Sequence, residues 1–410
     1  MTRKLIKIPP ELCIKCRGSK MLCGLTYCPV NITNNIKRVY SFPGNNISGS
    51  SPPSLFVGKY GYPKIGVYPA LPPFKGDTSY MEDENKWLSM NINDFIEARL
   101  SLLRGKINVN IDDAKNPDYK LQEIQLTSLS GKPVDIEMVT EKSFNKNIVL
   151  DENITPMGPS SGIKNIKYDN YKIDNRIEKV YYDGDLKADD AMINLYRKGM
   201  SINNISKALS IGSMGIKGNR KIVPTRWSIT AADKNISDNI VDKIKDYSSI
   251  DEYYVYVRSV NKNLFIGILT PGNWMFEWGE SWFPGTTWNY FSNDYHIELD
   301  YEGYYGRKTY PDIGGCYYSS RLGVAEKFDE MKRSGRAILW REIYNGFNIP
   351  LGVWYVRDNI RELFKAKPEK FDNIDDVIKY VSKFTRADIN EWVRKSYNIK
   401  NIKSNLDVFL

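Results

Sequence analysis

Four of the chain's five cysteines lie within the first 28 residues, and their spacing constrains the fold of that segment more tightly than any other feature. Cys13 and Cys16 form a Cys-x2-Cys pair, and Cys23 and Cys28 follow closely. Two thiolates spaced in this way can take adjacent corners of a tetrahedral Zn2+ site, and the second pair can supply the other corners. The pattern predicts a structural zinc module over residues 1–30, with two disulfides or an iron–sulfur cluster as open alternatives.

Composition and the N-terminal residues predict a soluble, cytoplasmic protein. The 410 residues are 41% hydrophobic, which is enough for a large core and for two or three domains. No apolar stretch approaches the ~20 residues that span a bilayer, so we expect no membrane partner. The N-terminus also lacks the apolar run of a secretory signal, and this disfavours disulfides because they need an oxidising compartment.

Positive charge is concentrated in two segments of the chain. The net charge is +9; residues 1–50 carry eight Lys or Arg against one Glu, and residues 201–230 carry five against no acid. Segments of this kind favour a polyanionic partner, most simply DNA, whose counterions are released on contact. A solvated face that keeps the protein soluble is the alternative explanation.

The second basic segment has the pattern of a helix-turn-helix followed by a glycine-punctuated loop. Apolar residues at helical spacing predict two helices, with Gly199 ending the first and Ser201 capping the second. Glycines at 212, 215 and 218 would let the backbone approach a phosphate, and the cations that follow would hold it. These predicted nucleic-acid-binding residues are Arg220, Lys221 and Arg226. An ordinary αα-hairpin of a protein core has the same outline.

One strand contains a row of side chains that could carry chemistry. From Asp294 to Asp300, polar residues alternate with apolar ones, so Asp294, His296 and Glu298 would share a face. Such a row could hold Mg2+ or Mn2+ and activate water for phosphodiester cleavage, and these three are the catalytic candidates. An amphipathic strand with its polar side in water needs no metal.

The remaining pattern predicts an α+β protein with a mixed sheet core and C-terminal helices. Residues 31–55, rich in Asn, Ser, Gly and Pro, are expected to be a linker or wrapping segment, and residues 56–397 to be the core, with one or two subdomains. The aromatic run at 274–291 indicates core packing, or a platform for unpaired bases if its rings are exposed. A hairpin is predicted over 253–269, and helices over 324–343, 356–364, 374–384 and 387–396.

The chain ends in a polar, basic stretch followed by a small apolar plug. Leu406 and Phe409 are three residues apart with Leu410 beside them, so one helical turn would present all three on one face. We expect residues 398–410 to be a flexible tail whose end docks on a partner.

Five specific strings are spread over most of the chain. They are the cysteine segment 12–29, Tyr60-Gly-Tyr-Pro63, Pro156-Met-Gly-Pro-Ser160, Val223-Pro-Thr-Arg-Trp-Ser-Ile-Thr-Ala231 and Pro350-Leu-Gly-Val-Trp-Tyr-Val-Arg357. Together these strings resemble the archaeal Nre family of DNA-repair proteins. The resemblance implies a four-cysteine zinc finger, a role in repairing damaged DNA, and a C-terminal PIP motif that binds the replicative sliding clamp (PCNA).

The clamp-binding peptide of such families is similar to Gln-x-x-(Leu/Ile/Met)-x-x-Phe-(Phe/Tyr). Its four defined positions correspond here to Lys403, Leu406, Phe409 and Leu410. Lys403 thus replaces the glutamine, and Leu410 replaces an aromatic ring. Loss of the glutamine's hydrogen bonds would weaken docking by roughly 1–2 kcal/mol, so a modest affinity is expected.

The sequence therefore predicts a DNA-repair factor that binds DNA and is recruited to the sliding clamp by its tail. Two alternatives stay open. The chain could be a metal-dependent nuclease or another DNA-processing enzyme that uses Mg2+ or Mn2+, or it could be an adaptor with no DNA activity of its own.

Overall fold

The computed structural model describes residues 23–24, 44–144, 154–286, 289, 292–347 and 349–406. These residues form an α+β protein, as predicted, with helices at the C-terminal end. The mixed sheet core consists of two six-stranded sheets. No described helix is both long and apolar enough to cross a membrane.

The described strands and helices come in runs along the chain, such as four successive strands over 253–302. The strands are β1 (Asn46–Ser51), β2 (Ser54–Val57), β3 (Lys64–Leu71), β4 (Leu103–Asn110), β5 (Val134–Thr140), β6 (Ser160–Asp169), β7 (Tyr253–Val260), β8 (Asn263–Thr270), β9 (Met275–Trp282), β10 (His296–Glu302), β11 (Arg336–Ile343) and β12 (Glu369–Phe371). The α-helices are α1 (Glu84–Trp87), α2 (Ile92–Ser101), α3 (Tyr119–Ser128), α4 (Asn175–Tyr182), α5 (Ala188–Arg197), α6 (Ile202–Ser210), α7 (Thr225–Ile244), α8 (Cys316–Met331), α9 (Trp354–Leu363), α10 (Ile374–Val381), α11 (Ile389–Lys395) and α12 (Tyr397–Leu406). Short 3-10 helices lie at Ser79–Met81, Ile111–Lys115 and Lys217–Asn219.

The first sheet has the strand order β1-β5-β6-β4-β3-β2. Strands β4 and β6 are parallel, and the other neighbouring pairs are antiparallel. Ile65 of β3 packs with Leu121 and Ile124 of α3 in one buried cluster. The sheet therefore has a helix-covered face, while the loop between β2 and β3 projects from one end.

The second sheet, ordered β10-β9-β11-β8-β7-β12, is covered by helices on both faces. Strand β8 is buried along its whole length, which explains its nearly continuous apolar sequence. Phe265 and Leu269 share a cluster with residues of α8 and α9. Ile266 and Ile268 point to the other face and share a cluster with residues of α10, α11 and α12. The result is a three-layer arrangement of helices, sheet and helices.

Several local predictions are confirmed by the described elements. Ser201 caps α6, as predicted, by accepting a hydrogen bond from the Asn204 N–H, and Asn91 caps α2 in the same way through the Asn93 N–H. Strands β7 and β8 form the predicted antiparallel hairpin.

Two stretches differ from the sequence-based expectation. Part of the expected linker at 31–55 forms β1 and the first half of β2, which are the two edge strands of the first sheet. Its serines at 50, 51 and 54 are buried, and each hydroxyl donates a hydrogen bond, to Asp135, to the Ala70 carbonyl and to Glu82 respectively. The helix predicted over 324–343 is also wrong in its second half. Helix α8 ends at Met331, Lys332 adopts a left-handed conformation, and β11 follows.

Candidate nucleic-acid interface

The basic segment after α6 lies beside the β2–β3 loop, at the end of the first sheet. The Ile222 N–H donates to the Ile111 carbonyl at 2.8 Å, and the Ile111 N–H donates to the Pro63 carbonyl at 3.0 Å. Thr225 begins α7, and its hydroxyl accepts a hydrogen bond from the Val57 N–H at 2.8 Å. These bonds hold residues 221–227 against the loop at 58–63.

The three predicted nucleic-acid-binding residues have different surroundings. Lys221 is exposed and Arg226 is half-buried. Arg220 is only 8% exposed, and its guanidinium donates to the carbonyls of Gly215 and Asp183, each at 2.9 Å. Arg220 therefore holds the glycine loop in place, and Lys221 is the cation of the three that is most open to a ligand.

An exposed aromatic patch formed by Tyr60, Tyr62 and Trp227 adjoins this basic segment. The three residues are 79%, 50% and 47% exposed, respectively, and the ring centroids of Tyr62 and Trp227 are 5.6 Å apart. The sequence had suggested the aromatic run at 274–291 as a platform for bases, if its rings were exposed. There, the described residues Trp274, Phe276 and Trp278 are completely buried.

Three lysines lie on the same two segments as the aromatic patch. The Lys59 ammonium lies 5.6 Å from the centroid of the Tyr60 ring, while Lys64 and Lys221 are exposed. Within the described residues, these three ammonium groups make neither a hydrogen bond nor an ion pair. The first turn of α7 contains no acidic residue. Asp112, which pairs with Lys115 at 2.7 Å, also lies in the field of Lys221, so this end of the molecule is aromatic and carries an excess of lysines over carboxylates.

The acidic strand β10 does not assemble a metal site from described residues. The Nε2 atom of His296 lies 2.5 Å from Oε1 of Glu298, and both side chains are more than half exposed. Asp300, on the same face, is turned inward and pairs with Arg307 at 2.7 Å. Among the residues that the structure describes, no group of three His, Cys, Asp or Glu side chains could hold a metal ion.

A cavity of about 530 Å³ lies near β10, but its charge is unsuited to DNA. Glu298 and Asp300 line it with Glu280, Asp312 and Arg341. Arg341 pairs with Glu280 at 3.1 Å, which leaves an excess of carboxylates on the wall. Such a wall repels phosphates. Of these two surfaces, the aromatic and basic end is the one whose charge suits phosphates.

Two family profiles match the chain in succession. The profile described as "Archaeal Nre, N-terminal" covers residues 22–289, and "Archaeal Nre, C-terminal" covers residues 302–409. The chain belongs to the archaeal Nre family. The resemblance seen in the five strings is thereby confirmed.

Curated relatives match this Nre-family protein over almost its full length. The DNA repair protein NreB of Archaeoglobus fulgidus is 41% identical over 95% of this chain and 97% of its own length. The DNA repair protein NreA of the same organism is 34% identical, with 93% and 95% covered. The DNA repair protein NreA of Haloferax volcanii is 30% identical, with 86% of each chain covered. No solved structure matches the chain significantly.

The N-terminal zinc module that was predicted lies almost wholly outside the described residues. Only Cys23 of the four cysteines is described, and Cys13, Cys16 and Cys28 are not. Cys23 is half-buried against the core cluster of α8 and α9. The carbonyl of the next residue, Gly24, lies so close to Gly346 that a Cβ there would be 2.1 Å away. The part of the cysteine segment at Cys23 and Gly24 therefore packs directly on the loop after β11.

The first half of the predicted tail is helical. Helix α12 buries Ile399 and Ile402 against the second sheet, so the chain is anchored up to this point. Lys403 remains exposed and pairs with Asp375 at 2.8 Å. Leu406 ends the helix, whereas Phe409 and Leu410 lie outside the described residues.

A buried charge network joins the two profile-matched regions of this Nre-family protein. Arg357 of α9 pairs with Glu84 at 2.6 Å and with Asp233 of α7 at 2.8 Å. Arg99 of α2 pairs with Glu82 at 2.5 Å. Burial raises the pKa of Asp233 to about 6 despite the Arg357 charge. The pKa of Glu82 is pushed up by burial, but Arg99 and Lys207 bring it below its ordinary value.

The strings that carry the family resemblance meet around this network and at the aromatic patch. Met157, Thr225 and Arg357 line one small cavity of about 40 Å³, and each comes from a different string. Tyr62 and Trp227, from two strings, are neighbours at the surface. The sequence did not predict these contacts, because the strings are far apart in the chain.

Proposed function

We propose that this Nre-family protein is a DNA-repair factor that binds DNA at the basic surface formed by Lys59, Lys64 and Lys221. The observation that carries the proposal is the set of three ammonium groups without an ion-pair partner among the described residues, on the two segments that also carry the exposed rings. Contacts from lysines to phosphates release counterions and supply affinity for any DNA sequence. The three relatives, each named a DNA repair protein, support the pathway.

Helix α7 gives further support to an anion at this surface. It is a 20-residue helix whose N-terminus lies beside Lys221, and its first turn has no carboxylate. The N-terminal end of a helix carries positive partial charge from its unpaired N–H groups. Arg226, in the same turn, adds a guanidinium, while Arg220 supports the loop from behind.

The proposal includes two modules outside the basic surface. Cys13, Cys16, Cys23 and Cys28 form a donor set of four thiolates suited to a structural Zn2+. Lys403, Leu406, Phe409 and Leu410 form the peptide that binds the sliding clamp. Helix α12 supports this role, since Ile399 and Ile402 anchor it in the core while Lys403 and Ser404, which follow, are exposed.

DNA affinity measured at several salt concentrations tests the basic surface. The double variant Lys64→Ala/Lys221→Ala should bind every DNA sequence more weakly, and the slope of log K against log salt should flatten by about one to two. Lys370→Ala, which removes an exposed lysine on β12 of the other sheet, is the matched control. An unchanged salt slope in the double variant would remove the basic surface from the proposal.

Retention on immobilised sliding clamp tests the tail separately. Phe409→Ala/Leu410→Ala should lose retention, because these side chains are proposed to fill the clamp's apolar pocket.

Incubation of the wild-type protein with DNA and Mg2+ or Mn2+ tests the nuclease alternative. Strand cleavage that disappears in Asp294→Asn would replace the proposed function with an enzymatic one.

A further inference from the structure

The aromatic patch has an exposure that core packing does not explain. Tyr60, Tyr62 and Trp227 are among the large apolar side chains that remain open to solvent, and two of them touch each other. Exposed rings gathered at one place mark binding sites more often than isolated exposed residues do. A ligand with flat, apolar surfaces would therefore fit the patch.

The patch is held in place by the backbone. The Lys64 N–H donates to the Gly61 carbonyl at 2.9 Å and closes the turn that carries Tyr62. Gly61 has a φ of +86°, a conformation that glycine adopts without strain. The bond from the Val57 N–H to Thr225, at 2.8 Å, ties this loop to the first turn of α7, where Trp227 lies. A ligand would thus meet rings whose backbone is already ordered.

The charge around the patch specifies the class of ligand. Lys59 lies over one ring, and Lys64 and Lys221 are exposed beside the loop and the helix that carry the rings. A protein partner or lipid would fit rings alone, but rings bordered by unpaired cations suit a flat base joined to a phosphate. In duplex DNA the base faces are stacked on one another, so they are available only where strands are unpaired.

Building on the proposed function, we propose that Tyr60, Tyr62 and Trp227 are a stacking platform for unpaired nucleobases. The lysines hold the phosphates of the same strand. The protein then prefers single-stranded or gapped DNA over an intact duplex, and it does so without reading the base sequence, because every base has a π-face.

Binding of the full-length protein to a labelled 20-nucleotide single strand and to the matching duplex tests this inference. Trp227→Ala and Tyr60→Ala should each lose about tenfold in affinity for the single strand, with duplex affinity changed less than about twofold. Trp227→Phe should recover most of the loss because it restores a ring. Tyr305→Ala removes a ring that is 96% exposed on the other half of the chain, and it should bind like wild type. Unfolding midpoints of all variants exclude a loss of fold.

The outcomes separate the platform from the proposed function. If Lys64→Ala/Lys221→Ala weakens both DNA forms while Trp227→Ala changes neither, or changes both equally, the platform is overturned and the DNA-binding surface stands. If wild-type protein retains neither DNA form at low salt, the DNA-binding proposal fails and the platform fails with it. Selective loss on the single strand, restored by Trp227→Phe, supports the platform.

Discussion

At the scale of single residues, the most informative side chains are buried charges. Arg357 is 1% exposed and forms ion pairs with both Glu84 and Asp233. Removing one partner of a buried ion pair leaves an uncompensated charge in a medium that solvates it poorly. Arg220 is a second example of a buried cation with a structural role. The sequence pattern predicted that it binds phosphate, but its guanidinium donates hydrogen bonds to two backbone carbonyls.

Arg357→Met should therefore lower the free energy of unfolding by about 3–5 kcal/mol. Denaturant unfolding followed by tryptophan fluorescence measures the change. Lys370→Ala, which breaks the exposed pair with Glu252, should leave stability nearly unchanged. Equal effects of the two substitutions would contradict the assignment of Arg357 as a buried link.

The lowered pKa of Asp329 predicts that the stability of the protein decreases at low pH. Burial raises the pKa of this carboxyl, but hydrogen bonds from Lys243, Lys332 and Tyr247 outweigh it and lower the pKa to about 2. The unfolded value is near 3.9, so the stability that Asp329 contributes is fully present above that pH and is lost as pH falls towards 2.

Asp329→Asn should therefore be less stable than wild type by about 1 kcal/mol at pH 6, a value reduced for the partial exposure of these groups. The difference should shrink to about half at pH 3. Thermal unfolding of both proteins at the two pH values measures it. A difference that stays constant between pH 6 and pH 3 would refute the depressed pKa.

At the scale of elements, close backbone approaches explain why some glycines occupy their positions. Gly158 lies where the chain passes the end of α2 and the start of β4, and its carbonyl accepts a hydrogen bond from Nε of Arg104 at 2.8 Å. A Cβ at this position would be 2.3 Å from the Leu102 carbonyl oxygen and 2.5 Å from that of Leu100. Both atoms belong to the backbone and cannot move as a side chain would.

Gly158→Ala is accordingly expected to destabilise the protein by about 1–3 kcal/mol. Gly218→Ala is the matched control, because a Cβ there meets no atom within 4 Å. The control should be neutral or slightly stabilising through its effect on the unfolded chain. Thermal unfolding of the two variants side by side would disprove the clash if their midpoints fell equally.

At the scale of the whole molecule, contacts between distant segments tie its parts together. The network around Arg357 links α1 and α7 to α9, across the two family-profile regions. Gly24, within the cysteine segment, packs on Gly346, which belongs to the second family-profile region. The proposed zinc module is thus in contact with the main core, so loss of its metal should also destabilise residues beyond the first 30.

Purified protein should contain about one Zn2+ per chain, and Cys13→Ser/Cys16→Ser should contain none. The unfolding midpoint of that variant should fall, since metal binding is coupled to folding. Cys316→Ser, which changes the one cysteine far from the module, should keep its zinc. Elemental analysis together with thermal unfolding gives both readouts, and retention of zinc by the double variant would rule out this ligand set.

Local features of this protein were predictable from sequence because their causes are local. Caps at Asn91 and Ser201, the β7–β8 hairpin and the α+β class follow from hydrogen-bonding side chains and from periodicity within short windows. The helix predicted through 324–343 failed in its second half, since a left-handed residue at Lys332 and pairing with β8 and β9 decided that segment.

The sequence by itself determined the family, the two basic segments and the elements that carry the candidate site. Only the tertiary structure decided which cations are free and which rings are exposed. The Arg220 guanidinium is hydrogen-bonded to backbone carbonyls, whereas Lys221 is exposed to solvent. The ring of Trp227 contacts that of Tyr62, although the two residues are far apart in the chain. The physical reason is that exposure and pairing depend on which distant residues fold against a side chain, and no short window of sequence contains that information.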